Sequence, residues 1–209
     1  MTVTMQISRY VKKRHYGSIF SFKQVLHKVD ASKRTVYYAV NQLTQTNAIV
    51  RVKKGIYLRP KMSRFGPILP EPGQIAVIMA KNIGAKLYPS GANAVNALGL
   101  STQLSMNYSY VATKQMTSFE VNNSMVNIRY SRALETAERK LTGLKAKEKE
   151  KIILLWLSFE YLGKREIYLR KDEIIHQIGS LSSKGRSKFE QILSGKLHWA
   201  KTLITMEIS

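Results

Sequence analysis

Fourteen lysines and arginines and a single acid, Asp30, fall between Met1 and Phe65 of this 209-residue chain. That segment carries a net charge of +13, against +8 for the remainder from Gly66 to Ser209. A segment of this composition is suited to lie against something strongly negative, and its concentration at one end of the chain is a functional signal in itself. The whole chain carries +21, which favours salt-sensitive binding to polyanions and fast electrostatic association. Its hydrophobic fraction of 44% is ordinary for a globular protein, so a core can form, and the length suits one or two domains.

Several function classes are excluded by what the sequence lacks. No apolar run approaches the roughly 20 residues needed to span a bilayer. The longest, 152–157, is far shorter. The stretch 1–10 lacks a signal-peptide core, residue 2 is a threonine, and there is no cysteine to carry a lipid. The absence of cysteine also excludes disulfides, thiol catalysis and zinc fingers, and is compatible with a reducing cytoplasm. His15, His27, His176 and His198 are not paired at metal-ligand spacing. No phosphate-binding loop, GxSxG or HExxH motif occurs. The expectation is a cytoplasmic protein that is not an enzyme, with no metal, no cofactor and no membrane partner.

The basic segment has a legible internal order. Val3, Ile7, Tyr10 and Val11 recur at helical spacing and predict a helix over 3–14, ended near Gly17. Residues 18–20 suit a short strand. Ser21 and Gln24 form a capping box for a helix burying Phe22, Val25, Leu26 and Val29. After a turn at Asp30-Ala31, Ser32 is the N-cap of a helix running to about Thr46, with Val36, Ala39, Val40 and Leu43 inward. Its other face carries Lys33, Arg34, Tyr37, Tyr38, Asn41 and Gln45, although Tyr37 also fits the edge of the core. Residues 49–53 and 56–59 alternate as two strands around a Lys54-Gly55 turn. This order reads as a winged helix-turn-helix. The helix from Lys33 suits a DNA major groove, and the hairpin suits the flanking phosphates or the minor groove. The expected DNA contacts are Ser32, Lys33, Arg34, Thr35, Tyr37, Tyr38, Asn41, Arg51, Lys53, Lys54 and Arg59.

The residues Gly17-Ser18-Ile19-Phe20, Ala31-Ser32-Lys33-Arg34-Thr35-Val36, Leu43 and Lys54-Gly55-Ile56-Tyr57 resemble the winged-helix domain of AbiEi-type antitoxins. These are transcriptional regulators of type IV toxin–antitoxin and abortive-infection systems. More distinctive are Phe65-Gly66, Pro89-Ser90-Gly91-Ala92-Asn93-Ala94 and Asn96-Ala97-Leu98-Gly99-Leu100-Ser101-Thr102-Gln103, which resemble the antitoxin-like C-terminal domain. The resemblance covers roughly residues 5–160. It implies a negatively autoregulating bacterial antitoxin with a nucleotidyltransferase-like toxin as partner.

Beyond the basic segment, residues 61–72 hold Pro67, Pro70, Pro72 and Gly66 and read as a linker or extended segment. Residues 74–82 predict a helix, 85–88 a strand, and 92–98 a small-residue helix capped by Ser90 and ended by Gly99. The N-terminus of that helix is either an anion site or simply capped and tightly packed. Residues 108–113, 118–121 and 125–130 predict a meander of strands. The highly charged stretch 135–151 predicts an exposed helix with a solvated face, leading into an apolar helix over 152–162 with Trp156 and Phe159. Residues 167–169 suit a strand or a short turn, 172–178 and 184–193 two helices, and the tail from Leu197 either helix or strand. Lys184, Arg186 and Lys188 form a second phosphate-binding patch or a solvated surface.

The fold expected is α+β, with a winged-helix DNA-binding domain at 1–62, a linker at 63–73 and a mixed α/β antitoxin-like domain at 74–209. The function expected is a sequence-specific repressor that binds double-stranded DNA at its own promoter and acts as a type IV antitoxin, nucleoid-associated when bound. Two alternatives stand beside it. One is a protein-interaction module that neutralises a toxin directly, and the other is a non-specific nucleic-acid-binding protein. No sustained heptad run fixes an oligomeric state.

Overall fold

Hydroxyl side chains start the first helices. In the computed structural model, which describes residues 1–102 and 107–208, α1 (Val3–Lys12) follows Thr2, whose hydroxyl accepts from the Met5 amide. β1 (Ile19–Ser21) leads directly into α2 (Phe22–Leu26), and Ser21 and Gln24 form the full reciprocal capping box. α3 (Lys33–Gln45) is capped by Ser32 and released at Asn47, whose φ of 55° is left-handed. β2 (Val50–Lys53) and β3 (Ile56–Leu58) follow, turned at Lys54 and Gly55, where the glycine φ is 75°. β1 pairs antiparallel with β3, and β3 with β2, giving the order β1-β3-β2.

These elements share one small core. Ile7 and Val11 of α1 meet Val36, Ala39, Val40 and Leu43 of α3, with Phe20, Val25, Val29, Ile49 and Tyr57 completing it. Each fully buried valine there contributes about 1.5–3 kcal/mol. Phe20 stacks on Tyr57 at 6.0 Å and meets Tyr10 edge-on at the same separation.

The stretch expected to be a linker has structure of its own. β4 (Met62–Ser63) and β5 (Gly66–Pro67) form a minimal antiparallel pair, and α4 (Pro72–Asn82) begins on a proline whose fixed φ suits the first helical turn. The chain divides into two compact units, residues 1–84 with 120–125, and residues 85–119 with 126–209. The division therefore follows α4 at Gly84, where the sequence places it at 63–73. α4 buries Ile75, Ala76 and Ala80, and it packs beside β1 in the first unit. Within that unit the Asn122 side chain donates to the Pro70 carbonyl at 3.0 Å.

The remaining strands and helices are β6 (Leu87–Pro89), α5 (Ala92–Ala97), β7 (Tyr108–Ala112), β8 (Phe119–Val121), β9 (Ser124–Tyr130), α6 (Arg132–Lys140), α7 (Ala146–Leu169), α8 (Lys171–Gly179) and α9 (Ser183–Ile192), then a 3-10 helix (Gly195–Ala200) and α10 (Lys201–Ile208). The protein is thus a mixed α and β fold with several small sheets. The expected meander is corrected. β7 pairs parallel with β9, Tyr108 opposite Val126 and Ala112 opposite Tyr130, so β8 does not lie between them. Left-handed Asn122 and Asn123 turn the chain between β8 and β9.

The larger core centres on α7, where every residue from Ile152 to Phe159 is buried, as in a helix apolar on all sides. α7 breaks at Gly163 (φ 72°, ψ 174°) and then resumes through 167–169, which the sequence leaves as strand or turn. The solvated helix expected over 135–151 is corrected too. It is two helices, and Glu138 is buried between lysines. Gln103, the last residue of the antitoxin-like motif, lies outside the described residues. Among those described, no helix is long and apolar enough to cross a membrane.

Candidate nucleic-acid interface

The N-terminal end of α3 organises the basic unit's surface. The Ser32 hydroxyl accepts from the Thr35 amide at 3.2 Å and sits 2.8 Å from the Thr35 hydroxyl. It thereby satisfies a free helix-end donor. Both side chains are engaged in capping while remaining exposed. The apolar stripe of α3 faces the core, so the opposite face is turned to solvent. Lys33, Arg34, Tyr37, Tyr38, Asn41 and Gln45 are all exposed, the two tyrosines at 55% and 59%. Tyr37, for which core edge and open face were both open, is on the open face.

The tyrosines do not project at random. Tyr37 meets Phe22 edge-on at 6.5 Å and Tyr38 at 6.3 Å, and the Arg34 guanidinium lies 5.8 Å from the Tyr38 ring. The aromatic row and its cation are partly pre-arranged, which lowers the rotamer entropy lost on binding.

The hairpin places Arg51 opposite Tyr57 and Lys53 opposite Ile56, with a bulge between Arg51 and Lys53. A bulge increases local twist and re-aims side chains. Arg51 and Lys54 are exposed, and Lys53 is half-buried. Burial raises the Tyr57 phenol above its ordinary value, while the Arg51 charge pulls it the other way.

Arg59 is held apart from the other cations. Its guanidinium donates to the Lys12 carbonyl at 2.7 Å and to the Arg14 carbonyl, and it lies 3.9 Å from the Tyr16 ring. A cation on the last carbonyls of α1 caps that helix and complements its dipole. Arg14 is also engaged, donating to the Tyr10 hydroxyl at 2.7 Å and to the Ile19 carbonyl at 3.3 Å.

The tip between β4 and β5, where Phe65-Gly66 enters only through the resemblance, carries an exposed aromatic that the sequence assigns to no contact. Phe65 is 85% exposed, and the Arg64 guanidinium lies 4.6 Å from its ring. The proline-rich surroundings hid it, although an Arg-Phe-Gly sequence at a turn was the available signal.

In the second unit the basic patch is tied down internally. Lys184 donates to the Gly143 carbonyl at 3.2 Å, Lys188 to that of Lys140 at 2.7 Å, and Arg186 to that of Gly179 at 3.4 Å. Gly91 (φ 61°) takes the cap position of α5 in place of the expected Ser90, and no side chain caps that helix. Among the described residues, no three His, Cys, Asp or Glu side chains are grouped to hold a metal ion.

The family model of DUF6088, a family of unknown function, matches residues 6–132, which is more than half of the chain, so the chain belongs to that family. No curated protein matches it.

Proposed function

We propose that this member of the DUF6088 family is a winged-helix repressor that binds its own promoter DNA and serves as the antitoxin of a type IV toxin–antitoxin pair. The observation that carries the DNA-binding reading is the outward face of α3. Lys33, Arg34, Tyr37, Tyr38 and Asn41 stand exposed together on a unit that holds fourteen cations and one acid between Met1 and Phe65. The helix–helix–hairpin order and the β1-β3-β2 sheet support a winged helix. The antitoxin role and the nucleotidyltransferase-like partner rest on the AbiEi-type resemblance.

In this reading α3 enters a major groove. Lys33 and Arg34 reach phosphates or guanine, and Asn41 presents an amide suited to adenine. The β2–β3 hairpin sets Arg51, Lys53 and Lys54 against adjacent phosphates. A protein so placed on a promoter occludes polymerase, and it works in the cytoplasm, where that DNA is.

The test is binding to the protein's own upstream DNA and to an unrelated duplex at two salt concentrations. The proposal expects a sequence preference that survives the higher salt. Arg34→Ala with Lys54→Ala weakens binding by on the order of tenfold or more and lowers the salt slope by about 2. Equal binding to both duplexes that collapses with salt would refute a specific repressor.

A further inference from the structure

The second unit contains a half-open cleft of about 1060 Å³, walled by β9, α6, the middle of α7 and the 3-10 helix. Its wall carries Arg129, Arg132, Lys140, Lys164 and Lys196 against one carboxylate, Glu160. That acid does not neutralise the wall. It pairs with Arg129 at 3.8 Å; burial pushes its carboxyl up, and the charges of Arg129 and Lys196 pull the other way. A concave surface lined by one sign of charge focuses its field and concentrates anions.

Aromatic rings share the rest of the lining with small and aliphatic side chains. Trp156 and Trp199, the only tryptophans of the chain, both face the cleft. Trp199 is locked by stacking on Phe159 at 5.9 Å and by Tyr168 at the same distance. Tyr161, 57% exposed, stands at the wall with Gly91 beneath it, where an added Cβ would lie 3.6 Å from the ring.

We propose that this cleft binds a nucleoside phosphate, its phosphate held by Arg132 and Lys196 and its base laid against Tyr161 and the half-buried Trp199. The combination selects the ligand class. Guanidinium and ammonium groups recognise phosphate oxygens, and flat rings supply sequence-tolerant stacking for any base. An anion without a ring leaves the aromatic surface unused, and a nucleoside without phosphate leaves the cations unanswered. The volume is at the upper end of small-ligand pockets, ample for one nucleotide.

Because both tryptophans line the cleft, their fluorescence reads occupancy there, whatever binds elsewhere on a chain of charge +21. The experiment titrates the full chain with AMP and GMP, and in parallel with adenosine, inorganic phosphate and an oligoglutamate peptide. The proposal expects a saturable change with the nucleotides, at concentrations on the order of tenfold lower than with adenosine or phosphate alone. Arg132→Ala with Lys196→Ala, both exposed positions, raises the nucleotide midpoint on the order of tenfold. Thr136→Glu, which adds a carboxylate to the wall, does the same, and circular dichroism checks that each variant is folded. Arg34→Ala with Lys54→Ala leaves the midpoint in place, which separates this site from the DNA-binding reading. No saturable change with either nucleotide, an equal response to phosphate or oligoglutamate, or a midpoint unmoved in both cleft variants would overturn the proposal.

Discussion

The two units hold their cations on carbonyls and rings alike, but the second also uses buried acid. With Asp30 the one acid between Met1 and Phe65, the N-terminal unit places its cations on backbone carbonyls and aromatic faces. Arg59 caps α1 and covers Tyr16, Arg14 lies 5.2 Å from the centre of the Tyr10 ring, and Arg34 and Arg64 lie near Tyr38 and Phe65. The second unit also holds cations on carbonyls, as at Lys184 and Lys188, but adds carboxylates. Among the described residues three ion pairs form there, and two of them share Glu138. Cations held by rings and carbonyls keep their full charge for an external partner, whereas cations held by an acid are neutralised in place. The difference separates surfaces that project a field from the buried Glu138 cluster, which consumes one.

The largest expected effect breaks the second arrangement. Glu138 accepts from Lys86, Lys149 and the Tyr88 hydroxyl while buried. Burial pushes its carboxyl up, but those hydrogen bonds and charges outweigh it and hold it below the ordinary value. Glu138→Ala leaves Lys149 and Tyr88 unanswered and costs about 3 kcal/mol in urea unfolding. The same group sets an acid limit. Its contribution is fully present above the ordinary glutamate value near 4.5 and is lost as pH falls through the lower folded value. In Glu138→Gln, stability measured across that range has a flatter pH dependence than in the parent chain.

Next in size is Arg59→Ala, which frees the Lys12 carbonyl at the end of α1 and the Arg14 carbonyl just beyond it, and uncovers Tyr16. It costs about 1–2 kcal/mol, and amide exchange in α1 locates the loss. Should DNA affinity fall while amide protection is unchanged, Arg59 is a phosphate contact and its capping role is incidental. Ser32→Ala removes the α3 cap for about 1 kcal/mol, read by thermal melting. The smallest effect sharpens the contrast itself. Added salt screens like-charge repulsion, so amide protection rises by a few tenths of a kcal/mol in the first unit and stays flat or falls around Glu138 in the second.

Local signals were the legible ones. The Ser21–Gln24 box, the Ser32 cap, the inward stripe of α3 and the Lys54-Gly55 turn are all encoded within a few residues, and the structure has each. What escaped depends on distant partners. The parallel pairing of β7 with β9 joins strands that the alternation pattern would lay side by side in chain order. Glu138 looks like one more charge on a solvated helix until Tyr88 and Lys86, some fifty residues earlier, are brought to it. Arg59 reads as a free cation because the carbonyls it caps lie 45 and 47 residues upstream. The cleft was invisible for the same reason, since its cations and rings are spread from Arg129 to Trp199.

The membership of residues 120–125 in the first unit has a consequence for biosynthesis. A chain emerging from the ribosome N-terminus first exposes α1, α3 and their hairpin early, and domains tend to fold as they appear. Yet the Asn122 amide that reaches the Pro70 carbonyl is translated some fifty residues later. The cationic unit therefore gains that contact only after residue 122 has left the ribosome. A released fragment ending at Gly84 lacks that contact and shows weaker protease protection of the cationic unit than the full chain.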